Sequence, residues 1–285
     1  MSSFLYFILP ALGGYTLTSV YLLKNPHILH KRKRTAFYCK HISHRGGCGE
    51  RIESTMEAFT NAVEQGTQML EMDCHLTRDG YVVVSHDENL LRQTGHDVTT
   101  SSLNLQDLPL YKEKLEVTFY TGRYSNGPDR KFALLEDVFR KFPKLPVSIE
   151  IKENNKQLIK KNASMPYSFS VNRGLLLLFL FYSGLLPFVP LGESLLQFYL
   201  PRIFNRTYIP EERILRNKLV IYLLEKVTMR KSLFKHLAAR GIQVHLFVCN
   251  EDEDIKAAFE VGATGVMSDY PALLSSYLCR NRSQD

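Results

Sequence analysis

Short apolar runs alternate with helical patterns along most of the chain beyond residue 40. Helical patterns such as "ESTMEAFTNAVEQG", where Ser54 or Thr55 supplies a cap and Gly66 a stop, separate several of these runs. The strand-like runs, in chain order, are "HISHRG", "MLEMDCH", "YVVVSHD", "VSIEIK", "YSFSV", "QVHLFVCN" and "GVMSD". This alternation predicts βα units in a parallel sheet or barrel. A closed (β/α)8 barrel has eight strands, one more than these runs provide.

The first residues form an apolar segment. Met1 to Leu23 contain no charged residue. A segment of this length is about long enough to cross a bilayer as a helix. A cleaved signal peptide would carry positive charge before the apolar run, whereas here "HKRKR" (His30 to Arg34) follows it. We therefore predict a single-pass anchor at 1–24 and a basic linker at 25–39.

The domain after the linker is predicted to span 40–275, with an insertion at 88–130 and a tail at 276–285. The positive charge after the anchor favours a cytosolic domain. The triplets that begin at Asn162, Asn205 and Asn281 are glycosylation sequons, which would matter only for a lumenal domain. Both orientations stay open.

The composition narrows the class of partner. The chain has 285 residues, a formal net charge of +7 and a pI of about 9.1. Such a charge suits nucleic acid, an anionic membrane or a phosphate-bearing substrate. The basic residues cluster in the linker and are not interleaved with aromatic residues, so we expect no nucleic-acid partner. The five cysteines include no C-x-x-C pair, which argues against a zinc site or a disulfide framework.

Polar side chains gather at the ends of successive predicted strands. Glu71 and Asp73 lie two residues apart and therefore on one face of their strand, as do Glu150 and Lys152 on theirs. In a parallel barrel such strand ends meet at one mouth. The other members of this set are His44, Arg45, His86, Asn250 and Asp269.

These residue types suit metal-assisted cleavage of a phosphodiester. Three carboxylates favour one hard divalent cation, Mg²⁺ or Ca²⁺. Two histidines suit general acid and base catalysis, and Arg45 with Lys152 suit a phosphate. Each residue alone would pass for an ordinary strand-end group; their occurrence at successive strand ends favours a site.

The ordered motifs "HRG" with downstream "EST", then "EMD", "VVVSHD" and "EIK", resemble those of the glycerophosphodiester phosphodiesterase family. The apolar N-terminus and the segment "GLLPFVP" resemble its membrane-bound animal branch of lysophospholipase D enzymes. The resemblance implies a phospholipase C-like TIM barrel and hydrolysis of lysophospholipids or glycerophosphodiesters, with lysophosphatidic acid as a product. The expected location is the endoplasmic reticulum or perinuclear membrane.

The resemblance also implies roles for individual residues. Glu71, Asp73 and Glu150 would bind the metal, and Arg45 and Lys152 the substrate phosphate. His44 would be the general base and His86 the general acid. Glu53 and Asn250 would give further support to the site.

The chain departs from the family pattern in three places. Ser54 replaces an Asn, and Phe247 stands where a Trp is common. About thirty residues, a strand with its helices, are missing between Glu153 and Pro166, so the fifth βα unit of the barrel is lacking. The competing hypothesis is therefore an inactive membrane protein, such as a truncated isoform.

A second apolar segment spans residues 174–192. It contains no charged residue and is interrupted by Gly184, Pro187 and Pro190. Its sequence favours an interfacial or re-entrant membrane element over a buried outer helix of the barrel. Replacing Leu177 and Phe179 by polar residues would then weaken membrane binding.

Overall fold

The computed structural model describes residues 2–34, 37–151 and 166–282. Nine α-helices lie in these ranges. They are α1 (Ser2–Lys24), α2 (Met56–Glu64), α3 (Leu91–Thr94), α4 (Leu135–Lys141), α5 (Val171–Tyr182), α6 (Lys218–Thr228), α7 (Lys231–Ala239), α8 (Asp252–Glu260) and α9 (Pro271–Arg282). The strands are β1 (His41–Ser43), β2 (Met69–Leu76), β3 (Val82–Val84), β4 (Lys114–Glu116), β5 (Tyr124–Asn126), β6 (Val147–Ile151), β7 (Leu195–Tyr199), β8 (Gln243–Phe247) and β9 (Gly265–Ser268).

Six parallel strands form the main sheet in the order β6-β2-β1-β9-β8-β7. Strand β2 is paired on both edges, since Leu70 lies opposite Ser43 of β1 and opposite Val147 of β6. The parallel order and the helices that connect the strands confirm the predicted α/β barrel class. Strands β4 and β5 make a separate hairpin inside the predicted 88–130 insertion.

Strand β3 runs antiparallel to β2, opposite to the direction of the other strands. Cys74 lies opposite Val84, and Leu76 opposite Val82. The turn "TRDG" is too short for the crossover that a parallel pair requires, so the chain returns as a hairpin. The amide of Ser85 then donates to the carbonyl of Asp73, at 3.0 Å, which brings the residues after β3 back to the end of β2.

The prediction of a strand at "YSFSV" is wrong. Ser168 makes only an isolated bridge to Leu195, and the chain then turns into α5, whose first turn is capped by the Ser170 hydroxyl. The strand of this region is β7, at Leu195–Tyr199, which the sequence reading missed. Because the long apolar segment before it dominates the local pattern, the five-residue run "LLQFY" gives little signal of its own.

The helices follow their sequence signals. Thr55 caps α2, since its Oγ1 accepts a hydrogen bond from the amide of Ala58 at 3.1 Å. The helical pattern over about residues 212–239 corresponds to two helices, α6 and α7, which are separated at Met229 and Arg230. Helix α9 continues through residue 276, which is the predicted start of the C-terminal tail.

The described part of the sheet is open between β6 and β7. Among the described residues no strand lies between them, although Nε2 of Gln197 on β7 donates to Oγ of Ser148 on β6 at 3.3 Å. The segment that the sequence identifies as shortened, from Glu153 onwards, lies outside the described residues up to Met165. The described sheet therefore has six parallel strands, fewer than a closed eight-stranded barrel.

Helix α5 has one face in the main core and one face exposed. Leu177 is 2% exposed and packs in the cluster that β7, β8 and β9 share with α6 to α9, whereas Phe179 is 62% exposed. The replacement of both Leu177 and Phe179 by polar residues would therefore alter one core position and one exposed position at the same time. The buried face agrees with an outer helix of the barrel, whereas the interfacial or re-entrant interpretation of residues 174–192 stays a prediction.

We expect Leu177→Ala to lower the free energy of unfolding by about 2–5 kcal/mol, because it leaves a cavity in the core. Phe179→Ala in the same helix should change it by less than about 0.5 kcal/mol in detergent. Thermal unfolding of the solubilised full chain measures both. Equal effects of the two substitutions would contradict the two-faced packing of α5.

Candidate active site

The glycine-rich turn after β1 places two predicted site residues. Arg45 has a φ of 48°, and Gly46 and Gly47 have φ values of 79° and 88°. A Cβ on Gly46 would lie 2.7 Å from Cδ1 of Phe59, so only glycine lets the turn approach α2 this closely. The turn ends the short strand abruptly and directs His44 and Arg45 towards the end of β2.

Three carboxylates converge beside this turn. Asp73 lies opposite Glu150 in the parallel pairing of β2 with β6, and Glu71 is two residues before Asp73 on the same face. One carboxylate oxygen from each residue lies within 4.8 Å of the others. Glu71 and Asp73 are buried, whereas Glu150 is exposed. The predicted ligand set is therefore brought together by the register of these two strands.

The electrostatics of this cluster favour a cation. Burial raises the pKa of Glu71 to about 7, and the neighbouring Asp73 carboxylate raises it as well. The amide of Arg45 donates to Oε2 of Glu71 at 3.0 Å, but this single hydrogen bond compensates only part of the negative charge of the two carboxylates. Oxygen-only donors at this spacing fit a hard divalent cation.

Arg45 is buried and is tied to the carboxylates around it. Its Nη1 donates to Oε2 of Glu53 and to Oγ1 of Thr118, both at 3.3 Å. Its Nε lies 3.9 Å from Oδ2 of Asp73 and makes no hydrogen bond within the described residues. Arg45 thus presents one buried donor beside the carboxylate cluster.

Glu53 is the centre of a buried ion-pair network. Its carboxylate accepts hydrogen bonds from Arg45, from Nη2 of Arg92 at 2.6 Å and from Nε2 of Gln93 at 2.8 Å. Burial alone would raise the pKa of Glu53, but the charges of Arg92 and Arg45 hold it far below its usual range. Glu53 holds these two guanidinium groups and is not part of the carboxylate cluster.

His44 is oriented by a carboxylate from β9. Its Nδ1 lies 2.6 Å from Oδ1 of Asp269, which follows β9 and is fully buried. Nδ2 of Asn250 donates to Oδ2 of Asp269 at 2.7 Å, so Asn250 acts on His44 through Asp269. Burial lowers the pKa of His44, but the charge of Asp269 outweighs this effect and the net pKa is raised.

His86 has a similar partner. Its Nδ1 lies 2.6 Å from Oδ1 of Asp87, and Nε of Arg92 donates to Oδ2 of Asp87 at 2.7 Å. Since Arg92 also binds Glu53, a chain of ion pairs connects His86 to Arg45. Asp87 is partly buried, which would raise its pKa, but the bonds from His86 and Arg92 lower it below the usual value.

Sequence reasoning missed three of these positioning groups. The sequence pattern identifies Asp269 only as a strand end and assigns no role to Asp87 or Arg92. The dipeptide His86-Asp87 carried a signal, because adjacent residues can form a histidine–carboxylate pair. The contact of His44 with Asp269 joins residues 225 positions apart, which spacing cannot reveal. Lys152, the predicted second phosphate ligand, lies outside the described residues.

The two point departures from the family pattern have local consequences. Ser54 has a φ of 59°, a conformation that Asn adopts more readily, and its buried Oγ has no hydrogen-bond partner in the described ranges. Phe247 packs against Tyr199 with ring centroids 4.2 Å apart. The carboxylates converge and His44 is paired with Asp269 in the presence of both residues.

An aromatic cluster lies beside His44. Phe119 packs edge-on against the His44 ring at 5.3 Å and against Tyr208 at 4.5 Å. Tyr199 joins Phe119 to Phe247. This cluster of Phe119, Tyr199, Tyr208 and Phe247 gives the site an apolar wall next to its charged groups.

A sequence profile described as "Glycerophosphoryl diester phosphodiesterase family" matches residues 44–175. The chain is 44% identical to human "Lysophospholipase D GDPD3", across 98% of this chain and 97% of that protein. It is 45% identical to human "Lysophospholipase D GDPD1", across 96% of both. The chain belongs to the glycerophosphoryl diester phosphodiesterase family.

Solved structures of family members share the fold. The glycerophosphodiester phosphodiesterase of Thermotoga maritima aligns with a TM-score of 0.56 at 20% identity, covering 84% of this chain and 99% of that one. The enzyme of Agrobacterium tumefaciens aligns with a TM-score of 0.55 at 14% identity, covering 85% and 99%. These likenesses confirm the barrel class of the family.

The alignment with the human GDPD3 protein also bears on the shortened region. It extends over 308 positions but includes 98% of the 285 residues of this chain, which is about 279 residues. Roughly 29 aligned positions therefore have no counterpart here. This difference agrees with the prediction that about thirty residues of the family barrel are missing.

We expect Glu53→Gln to destabilise the fold by about 3–5 kcal/mol, because it leaves two buried arginines without their carboxylate. Glu136→Gln removes an exposed pair with Arg140 and should cost less than about 0.5 kcal/mol. Thermal unfolding at neutral pH compares them.

The pH dependence gives a second readout of Glu53. Because its folded-state pKa is lowered, its stabilising contribution is complete above the ordinary glutamate pKa of about 4.3 and is lost as the pH falls towards the folded-state value. Glu53→Gln should lack this part of the acid-induced loss of stability. An unchanged acid profile would contradict the assigned ionisation of Glu53.

Proposed function

We propose that this chain is a membrane-anchored, metal-dependent phosphodiesterase that hydrolyses lysophospholipids or glycerophosphodiesters as a lysophospholipase D. The observation that carries the proposal is the approach of Glu71, Asp73 and Glu150 to within 4.8 Å of one another, beside the turn that bears His44 and Arg45. With a lysophospholipid, the products are the free headgroup alcohol and lysophosphatidic acid.

The carboxylates would hold one divalent cation, Mg²⁺ or Ca²⁺. Such a cation, when bound, polarises the phosphoryl oxygens of the substrate. Arg45 presents its buried Nε to the same region and would bind a phosphate oxygen, and Lys152 is proposed as a second cationic contact. Glu53 keeps the Arg45 guanidinium in place.

The two histidines would move the protons. His44, fixed through Nδ1 by Asp269, takes a proton on Nε2 from the nucleophile, which is water or a neighbouring substrate hydroxyl. Asp269 stabilises the imidazolium that forms, because its carboxylate raises the pKa of His44. His86, held by Asp87, donates a proton to the leaving headgroup oxygen.

A lipid substrate is favoured by the surroundings of the site and by the relatives. The aromatic cluster beside His44 suits the glycerol backbone and the first methylenes of an acyl chain. The human and mouse relatives with 42–45% identity carry the name lysophospholipase D. Both points support a lysophospholipid over a purely water-soluble diester.

The N-terminal helix would be the membrane anchor. Tyr6–Lys24 of α1 is long and apolar enough to cross a bilayer, and it is mostly exposed. Its last turns contact the domain, since the carbonyl of Leu23 accepts from Nδ1 of His236 at 2.8 Å, which suits a retained helix better than a cleaved one. The endoplasmic reticulum or perinuclear membrane is the location we propose.

The competing hypothesis of an inactive truncated protein requires that the loss of a barrel segment separates the ligands. Their convergence on β2 and β6 supports an active site instead, because both strands precede the shortened region and are paired directly. We therefore favour the enzyme.

Chelation with EDTA should abolish choline release from lysophosphatidylcholine by the purified full chain, and added Mg²⁺ or Ca²⁺ should restore it. His44→Ala and His86→Ala should each lower the rate by about 10²–10⁴-fold, since each removes a proton-transfer step. Glu71→Gln should remove the response to metal, whereas the exposed Glu113→Gln should retain it.

Full activity of any one of the three site variants would reject the role of that residue. A parallel chain in which the missing strand and helices are restored tests the competing hypothesis. If only the restored chain releases choline, the chain with its natural sequence is inactive and the proposal is wrong.

Asp269→Asn should lower the maximal rate by about a hundredfold or more, because the amide no longer fixes the imidazole or stabilises its charged form. Loss of the negative charge lowers the pKa of His44, so the acidic limb of the pH–rate profile should move to lower pH. Asp254→Asn, a buried carboxylate that binds Arg206 instead, should leave that limb unchanged. An unmoved limb in Asp269→Asn would contradict the pairing.

A further inference from the structure

A cysteine lies against the pair of residues that forms the general base. Sγ of Cys48 donates to Oδ1 of Asp269 at 2.8 Å, and Nδ1 of His44 lies 2.6 Å from the same oxygen. The sulfur is 4.0 Å from Nδ1 of His44. One imidazole nitrogen, one sulfur and one carboxylate oxygen therefore lie within 4.8 Å of one another. Neither the carboxylate cluster nor the proton transfers of the proposed reaction use this thiol.

The thiol is held in this position by the close packing of two backbone segments. The amide of Gly49 donates to the carbonyl of Asp269 at 2.9 Å. A Cβ on Gly49 would lie 2.5 Å from Cζ of Tyr270, so a larger residue at position 49 would push the two segments apart. Glycine at this position therefore permits the approach that holds Cys48 against Asp269.

Asp269 is fixed in the way that is usual for a carboxylate that binds a metal. Nδ2 of Asn250 donates to Oδ2 of Asp269 at 2.7 Å, which leaves Oδ1 facing the thiol and the imidazole. The backbone amide of Asp269 donates in turn to Oδ1 of Asn250 at 2.9 Å. Such outer hydrogen bonds commonly orient the ligands of protein metal sites. The carboxylate is thus oriented before any ion binds.

The donor set favours a different ion from the one that suits the carboxylate cluster. Sulfur, imidazole nitrogen and one carboxylate oxygen suit Zn²⁺ in a tetrahedral site, whereas Mg²⁺ and Ca²⁺ take oxygen ligands. Zinc bond lengths of about 2.0–2.3 Å place tetrahedral ligand atoms about 3.3–3.5 Å apart, so each of the three observed distances would change by less than about 1 Å. Water can take the fourth position.

Sequence spacing gives no sign of this cluster. The chain has no C-x-x-C pair, and the sequence therefore argues against zinc sites of that kind. His44 and Cys48 lie four residues apart in one turn, but Asp269 joins them only through the pairing of β1 with β9. Among the described residues, Cys48 is the one cysteine that belongs to a group of three possible metal ligands.

We infer that His44, Cys48 and Asp269 form a Zn²⁺ site whose occupation inhibits the enzyme, and that this site is separate from the carboxylate cluster that would hold the catalytic cation. The inhibition rests on the proposed role of His44 as the general base. The binding of zinc does not depend on that role.

Zinc disables the base by changing the position of its proton. In the neutral imidazole that accepts a proton on Nε2, the ring proton is on Nδ1 and faces Asp269. Zinc bonded to Nδ1 displaces this proton, and the ring then carries it on Nε2. The thiol proton leaves to solvent as the bond between zinc and sulfur forms. Nε2 of His44 then has no lone pair for the proton of the nucleophile.

The burial of the cluster sets how fast it can fill. His44 is 6% exposed, Cys48 2% and Asp269 0%. The ion must therefore enter past His44, and we expect inhibition to develop with time after zinc is added. Excess Mg²⁺ or Ca²⁺ should not reverse it, because these ions prefer oxygen to sulfur and nitrogen ligands.

Cobalt absorption tests the site in the full chain. The protein is purified in detergent without a histidine tag, and Cys279 is replaced by serine because its thiol is exposed. Co²⁺ added in excess Mg²⁺ should produce the near-ultraviolet charge-transfer band of a cobalt–thiolate bond, and added Zn²⁺ should remove this band. Cys48→Ser should lack the band. Cys39→Ser, which removes another buried thiol outside the cluster, should retain it.

Choline release from lysophosphatidylcholine, in excess Mg²⁺ and Ca²⁺, measures the consequence for activity. Each chain is preincubated with zinc and compared with its own rate without zinc. Zinc should inhibit the chain that retains Cys48 and the Cys39→Ser chain alike. Cys48→Ser should need at least about 10–100-fold more zinc for half inhibition, since even the loss of an outer partner of a metal ligand has this effect.

X-ray absorption at the zinc edge gives a readout that needs no substitution at Cys48. One sulfur at about 2.3 Å, with nitrogen and oxygen as the other neighbours, supports the site, and a shell without sulfur overturns the inference. A cobalt–thiolate band or a zinc sensitivity that is unchanged in Cys48→Ser overturns it as well, because the ion then binds elsewhere.

The same measurements separate the zinc site from the proposed enzyme. Zinc bound through Cys48 without any loss of choline release would show that the inferred inhibition is wrong. A chain that shows the Cys48-dependent band but releases no choline under any condition would contradict the proposed phosphodiesterase and support the zinc site.

Discussion

Two like charges buried side by side on β2 set the conditions that the surrounding structure must meet. Glu71 and Asp73 point to one face of a strand that is paired on both edges, so water cannot disperse their charge. The groups packed around them are an arginine, a backbone amide and a histidine, all from the turn after β1. The left-handed backbone conformation of that turn brings these groups close to the two carboxylates of β2.

The network around the cluster is continuous. Arg45 binds Glu53, Glu53 binds Arg92, and Arg92 binds Asp87, which holds His86. His44 follows β1 and His86 follows β3, two of the strands that pair with β2, and each histidine is aligned by its own aspartate. Because shared ion pairs couple their members, substitutions along this chain should act non-additively.

Local spacing predicted the components of the site, and long-range pairing explains what it missed. The two-residue interval of Glu71 and Asp73 places both on one face of any strand, and the strand-end position of His44 is equally local. Asp269 reaches His44 only because β9 pairs with β1, and this pairing cannot be predicted from the spacing of the residues. The pattern gives no separate signal for β7, since its four apolar residues and one glutamine follow a longer apolar segment. The predicted strand at Tyr167 does not form, because α5 begins just after it, at the Ser170 cap.

Glu150 differs from its two partners in a way that matters for the whole domain. It is exposed and lies on β6, a strand whose second edge has no strand partner in the described part of the sheet. A cation shared by Glu150 and β2 would cross-link an edge strand to the centre of the sheet. Metal affinity and the stability of the β6–β2 pairing are then thermodynamically linked, so the ion would act as a structural cross-link at an edge where the described residues provide no further strand.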